Sequence, residues 1–195
     1  MKKMKICLSL LLALALCLSL AGSALAANVI VGGSGDDEAA ALLLPPEEAE
    51  ETGLQPVYAC TGAFVGALEA AGCEYVLGGV DEDGDELVIT AFDMEGVRVE
   101  LRFYFSANGE NAYIRVWNVI NYDLANWQNV VQVIDGINGD YRFVRFYTDD
   151  YDNSVTAALD LIYRGSDVGE ICMEALYYLV NIIEDAYPLL LPYAA

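Results

Sequence analysis

The chain is 195 residues long, with thirty Asp and Glu against nine Lys and Arg, no histidine, and a net charge of −21 at pH 7. Without imidazole, Ser-His-Asp and Cys-His catalytic devices are excluded, and zinc loses its commonest nitrogen ligand. A field of this sign repels nucleic acid and anionic lipid, draws cations and cationic partners, and keeps the chain soluble.

The N-terminus reads as an export signal over residues 1–26. Lys2, Lys3 and Lys5 precede the apolar run ICLSLLLALALCLSLAG, and the small residues Ala24 and Ala26 follow at the positions a signal peptidase reads. Cleavage is placed after Ala26, so the expected location is secreted or cell-envelope, in a bacterium. The run is also long enough for a marginal span, so retention as a membrane anchor is the competing account. Leu16 precedes Cys17 where a lipoprotein signal needs a small residue. Removal of the signal takes every lysine. Arg98, Arg102, Arg115, Arg142, Arg145 and Arg164 are left against thirty acids, a surplus of twenty-four negative charges.

Residues 27–56 mix Gly, Pro, Ala and carboxylates without period and read as a flexible acidic linker. Residues 57–195 make one domain, long enough to bury roughly two thirds of its unfolded surface. Three cysteines follow the signal: Cys60, Cys73 and Cys172. An odd number leaves at least one thiol free or intermolecular. A continuous helix would hold Cys60 and Cys73 about 20 Å apart, beyond disulfide reach. That leaves a bond from Cys172 to one of them, or three small buried thiols.

Phe64, Leu68 and Ala71 recur at helical spacing, with Thr61 as cap, and predict a helix from Thr61 to about Tyr75. DEDGDE is then a turn, LVITAF a strand, and Asp93 to Gly96 a tight turn. In the next strand Val97, Val99, Leu101, Phe103 and Phe105 share one face, and Arg98, Glu100, Arg102 and Tyr104 the other. That period of two marks a sheet packed on one side. SANGEN closes a hairpin onto a third strand, AYIRVWNVI. Leu124, Trp127, Val130, Val131, Ile134 and Ile137 form a helical stripe, capped by Asp123 and ended by Gly136, Asn138 and Gly139 in left-handed backbone. YRFVRFYTD is the fourth strand and VTAALDLIYR the fifth. A last helix is capped by Ser166, buries Val168, Ile171, Cys172, Ala175, Leu179 and Ile182, and stops at Pro188 and Pro192. The order α-β-β-β-α-β-β-α predicts an α+β fold, a five-stranded antiparallel sheet with three helices on one side.

The segment NVVQVIDGINGDYRFVRFYTDDYDNSVTAALDLIYR, through Ile137, Asn138, Tyr141, Arg142, Phe143, Arg145 and Phe146, resembles the YbjN family of sensory transduction regulators. There a helix ends at an Asn-bearing segment, an aromatic and Arg-containing strand follows, and a turn and second strand lead to a long C-terminal helix. The resemblance covers about Val57 to Leu191 and rests on residue type rather than fixed motifs. It implies a type III secretion chaperone-like fold, whose members bind extended segments of partner proteins and often dimerise. It carries over no catalytic residue. The signal and acidic arm depart from the family and point to an exported variant rather than a cytoplasmic regulator.

DEDGDE looks at first like a calcium loop, but counted from Asp81, Gly84 comes too early and Phe92 stands where an EF-hand needs Glu. It and TDDYDN read as acidic turns. Beyond the signal there is no Lys for a Schiff base, and the three thiols sit in apolar or acidic sequence that opposes ionisation. VIVGGSG precedes no helix, and no carboxylate pair stands out as acid and base. The sequence therefore names no catalytic residue, metal or cofactor. Arg98 and Arg102 share a strand face, and Arg115 falls on the next strand. With Tyr104 and Trp117 they form the candidate partner-binding set, since guanidinium forks and aromatic rings suit an interface with carboxylates. The ordinary alternative is cross-strand pairing with Glu100 and other acids, worth about 0.2–1 kcal/mol each. The expectation is an exported, non-enzymatic module that binds a protein partner or itself. The alternatives are an extracytoplasmic small-ligand or calcium binder and a carboxylate-dependent enzyme.

Overall fold

A computed structural model describes residues 54–94 and 97–195. The signal, nearly all of the linker, and two residues of the turn after Asp93 lie outside the described residues. Helix α1 spans Ala59–Ala71. Thr61, expected as its cap, lies inside the helix, wholly buried, with its Oγ1 unbonded. The cap comes from a strand instead. Glu86 Oε1 accepts the Val57 N–H at 2.7 Å, and Oε2 accepts the Tyr58 N–H at 2.8 Å. A carboxylate placed there satisfies orphan donors and meets the positive end of the helix dipole. The Tyr58 hydroxyl adds a bond to the Gly84 carbonyl at 2.8 Å.

Helix α1 does not continue to Tyr75. Gly72 takes a left-handed φ of 69°, its N–H bonds Glu69 O, and the Cys73 N–H bonds Leu68 O, which closes the helix. The chain then forms β1, Tyr75–Val80, which the sequence analysis did not foresee. The other strands are β2 (Glu86–Met94), β3 (Val97–Phe105), β4 (Asn111–Asn121), β5 (Val144–Asp149) and β6 (Ser154–Ile162). Among the described residues the sheet therefore has six strands, not five. All pairs are antiparallel, in the order β1-β2-β3-β4-β6-β5. Gly78 and Gly79 hid β1, because a glycine pair reads as a turn. Here they form a bulge, and a Cβ on Gly78 would lie 2.7 Å from Leu87 Cδ2.

Helix α2 (Trp127–Asp140) follows a short 3-10 turn at Leu124–Asn126, and α3 spans Val168–Leu190. The turn shifts the helical phase, so Leu124 and Trp127 are exposed while Val130, Ile134 and Ile137 are buried. Neither Asp123 nor Ser166 caps through its side chain; the Ser166 hydroxyl bonds Asp167 instead. Helix α2 also runs through Gly136, Asn138 and Gly139 rather than stopping there. The Asn138 carboxamide is what joins it to β5: Oδ1 accepts the Phe146 N–H at 2.8 Å and Nδ2 donates to the Phe146 carbonyl at 2.9 Å. Helix α3 passes Pro188, another departure from expectation. Ala186 and Leu190, both wholly buried, hold the last turn across the lost hydrogen bond.

The helices cover one face of the sheet. Phe64 of α1 packs on Phe103 and Phe105, ring centroids 4.4 and 5.6 Å away. Helix α3 crosses α1 at Gly169, where a Cβ would meet the Ala63 carbonyl oxygen at 2.6 Å. One continuous core includes residues of all three helices and all six strands. Among the described residues the opposite sheet face has no helix on it. Among the described residues no helix is long and apolar enough to cross a membrane.

Glu86→Gln replaces one of the two acceptor oxygens with a donor facing an N–H, and is expected to cost about 2–3 kcal/mol in urea unfolding. An unchanged midpoint would dismiss the carboxylate as the anchor of α1. Asn138→Ala is expected to cost about 1–2 kcal/mol and to raise the hydrogen-exchange rate of the Phe146 amide relative to its β6-bonded neighbours.

Candidate functional site

Strand β3 and the first half of β4 set the geometry of the uncovered face. Their register places Arg102 opposite Arg115 and Tyr104 opposite Tyr113. Two guanidiniums side by side would repel, and each turns to a different partner. Arg102 Nη2 lies 3.3 Å from Glu100 Oε2, and its guanidinium sits 4.7 Å above the Trp117 ring. Arg115 Nη1 donates to Asp160 Oδ1 and to the Ile114 carbonyl, both at 2.9 Å, and its guanidinium lies 5.0 Å from the Tyr113 ring centroid. Tyr104 and Tyr113 stack between the arginines at 4.7 Å with 7° between their planes. Each such contact is worth about 0.5–1.5 kcal/mol.

A bulge supplies the last member. Pairing of β4 with β6 breaks between Val116 and Ile120, with Asn118 at a φ of 54°. Trp117, at the start of this break, lies 6.3 Å from Tyr104 and stays 43% exposed. The result is a continuous run of three rings, Trp117, Tyr104 and Tyr113, with a guanidinium at each end, across two strands.

Four of the five expected residues thus come together: Arg102, Arg115, Tyr104 and Trp117. Arg98 does not join them. It lies about 13 Å further along β3, where β4 no longer pairs, and among the described residues reaches the exposed Glu74 at 3.7 Å. Tyr113, Asp85 and Asp160 are members the sequence analysis missed. Tyr113 donates to Asp85 Oδ2 at 2.8 Å, and its parity with Arg115 was the one available signal. Arg145 and Tyr147 of β5 extend the same face.

The seven residues of the family resemblance split into two sets. Ile137 and Phe146 are buried, Asn138 clamps β5, and the Tyr141 hydroxyl bonds Asp185. Arg142, Phe143 and Arg145 face solvent. Phe143 is 78% exposed at a left-handed φ of 72°, and the carbonyl before it accepts the Tyr178 hydroxyl at 3.0 Å.

In the acidic turn, Asp81 Oδ1 is occupied by the N–H groups of Asp83 and Asp85 at 3.0 and 2.9 Å. Among the described residues no three Asp, Glu or Cys side chains converge as a metal cage. A cavity of about 200 Å³ is lined, among the described residues, by Met94, Glu184, Tyr187 and Pro188. Cys60, Cys73 and Cys172 are all free thiols, and burial, with Cys60 nearby as a second cause, pushes Cys172 up to about 12. Compared with protein-family models, curated proteins and solved structures, the chain matches none.

Burial first, then the hydrogen bond to Asp85, raises the Tyr113 phenol well above its ordinary value of 10.0, and burial raises Tyr104 despite Arg102. The unfolded chain releases these protons near pH 10 while the fold retains them, so their contribution to stability is intact below pH 10 and falls as pH rises above it. Urea midpoints measured from pH 8 to 11.5 should show that decline. Tyr113→Phe should lower stability at pH 8 but make the alkaline slope shallower; an equal slope would contradict the role of the phenol.

Proposed function

We propose that this chain is an exported, non-enzymatic protein-binding module, chaperone- or regulator-like in the manner of the YbjN domains that its α2–β5 joint resembles. It binds through the uncovered face of its sheet. The observation that carries this reading is the Arg102–Trp117–Tyr104–Tyr113–Arg115 cluster. Aromatic and Arg side chains concentrate where interfaces draw their affinity. Here they are already held in one geometry, so a partner would lose little side-chain entropy on docking. Arg102 and Arg115 share their charge with Glu100 and Asp160, and a partner's carboxylates would replace those acids.

The test is capture of envelope proteins from the producing cell by the exported chain, compared with the Arg102→Ser/Arg115→Ser/Trp117→Ala variant. A stoichiometric partner that elutes at moderate salt and is lost in the variant is the expected result. Equal recovery by a variant whose far- and near-UV circular dichroism is unchanged would remove this face from the function.

A further inference from the structure

The two edges of the sheet differ. On β5 the outward N–H and C=O of Phe146 are both taken by Asn138, and α2 packs along the strand. On β1 alternate residues must also direct N–H and C=O away from β2, yet no described group bonds that outer row. Tyr75–Val80 carries no charge and no proline, and Val76 and Val80 are 37% and 44% exposed. Such an edge is a template for another strand. The bulge at Gly78–Gly79 concentrates the usable row on Tyr75–Leu77.

The flanks decide what can dock. Glu74 precedes the strand with 89% of its side chain exposed, and Asp81, Glu82 and Asp83 follow it, all exposed. A second copy pairing antiparallel over the whole of Tyr75–Val80 would set Glu74 against Asp81 at both ends. Like charges placed opposite each other are destabilising, so the acids guard the edge against self-pairing. A segment with basic residues on both sides of an extended core meets the opposite situation. We propose that the outer edge of β1 is a docking site for an extended segment of another protein, apolar and β-prone in its centre and flanked by Lys or Arg. This surface is separate from the stacked face of β3 and β4, and the two fail or survive independently.

Two synthetic peptides test it on the full mature chain by amide chemical shifts. Each has five alternating Thr and Val residues, with two lysines at each end of one and two glutamates at each end of the other. The lysine peptide is expected to bind at least about tenfold tighter, with shifts centred on Tyr75–Val80 and slowed amide exchange there. Glu74→Lys/Glu82→Lys leaves Asp81 to organise its turn, brings the flanking charge to zero and is expected to abolish the preference. Equal binding of both peptides, shifts centred on β3 and β4, no binding at millimolar peptide, or an unliganded dimer protected at β1 would each overturn the proposal.

Discussion

Everything about the position of α1 depends on one buried carboxylate. Glu86 stands at the start of β2 and reaches back 28 and 29 residues to hold the two N–H groups that open the helix. A buried acid is costly unless its lone pairs are satisfied, and here backbone donors and the helix dipole do that. With the N-terminus of α1 pinned to the sheet, Phe64 falls on Phe103 and Phe105, and Gly169 of α3 fits against Ala63. The packing of two helices and two strands follows from that anchor.

The uncovered face solves a different problem. On a chain with so few cations, placing Arg102 beside Arg115 looks wasteful, since the two charges oppose each other. Each guanidinium escapes by stacking on a ring and taking an acid from its own or the next strand. The contacts hold the face in one arrangement, three rings in a run with an arginine against each outer ring, and Trp117 stays partly exposed. Rigidity and exposure together are what a docking surface needs.

How much was legible in the sequence follows from how local each cause is. The β3 pattern from Val97 to Phe105 was plain because period two is written in consecutive residues. The end of α1 at Gly72 was available in the glycine itself, which follows directly on the last residue of the Phe64, Leu68, Ala71 stripe. β1 was hidden by Gly78 and Gly79, whose purpose depends on Leu87 across the sheet. The Glu86 cap was out of reach of any local pattern, since Thr61 offered itself much closer. The pairing of Arg102 with Arg115 followed from strand parity, whereas Asp85 and Asp160 required the register itself. Pro188 shows the opposite failure: the local rule was right about the lost hydrogen bond, and the buried Ala186 and Leu190 outweighed it.

The Asn138 clamp also bears on how the molecule ages. Asn138 is followed by Gly139, and asparagine before glycine is where a side chain most readily cyclises onto the next backbone nitrogen and deamidates. In the hairpin loop the same pair occurs at Asn108 and Gly109, where Asn108 acts only as an acceptor, toward the Glu110 N–H, and conversion to aspartate preserves that bond. At Asn138 the amide must accept from Phe146 and donate to it at once, which a carboxylate cannot do. The helix holds this asparagine away from the cyclising geometry, and its two bonds to β5 hold the side chain still. The fold thus protects an amide whose conversion to aspartate would break the joint between α2 and β5, and the chemical lifetime of that joint is set by the clamp itself.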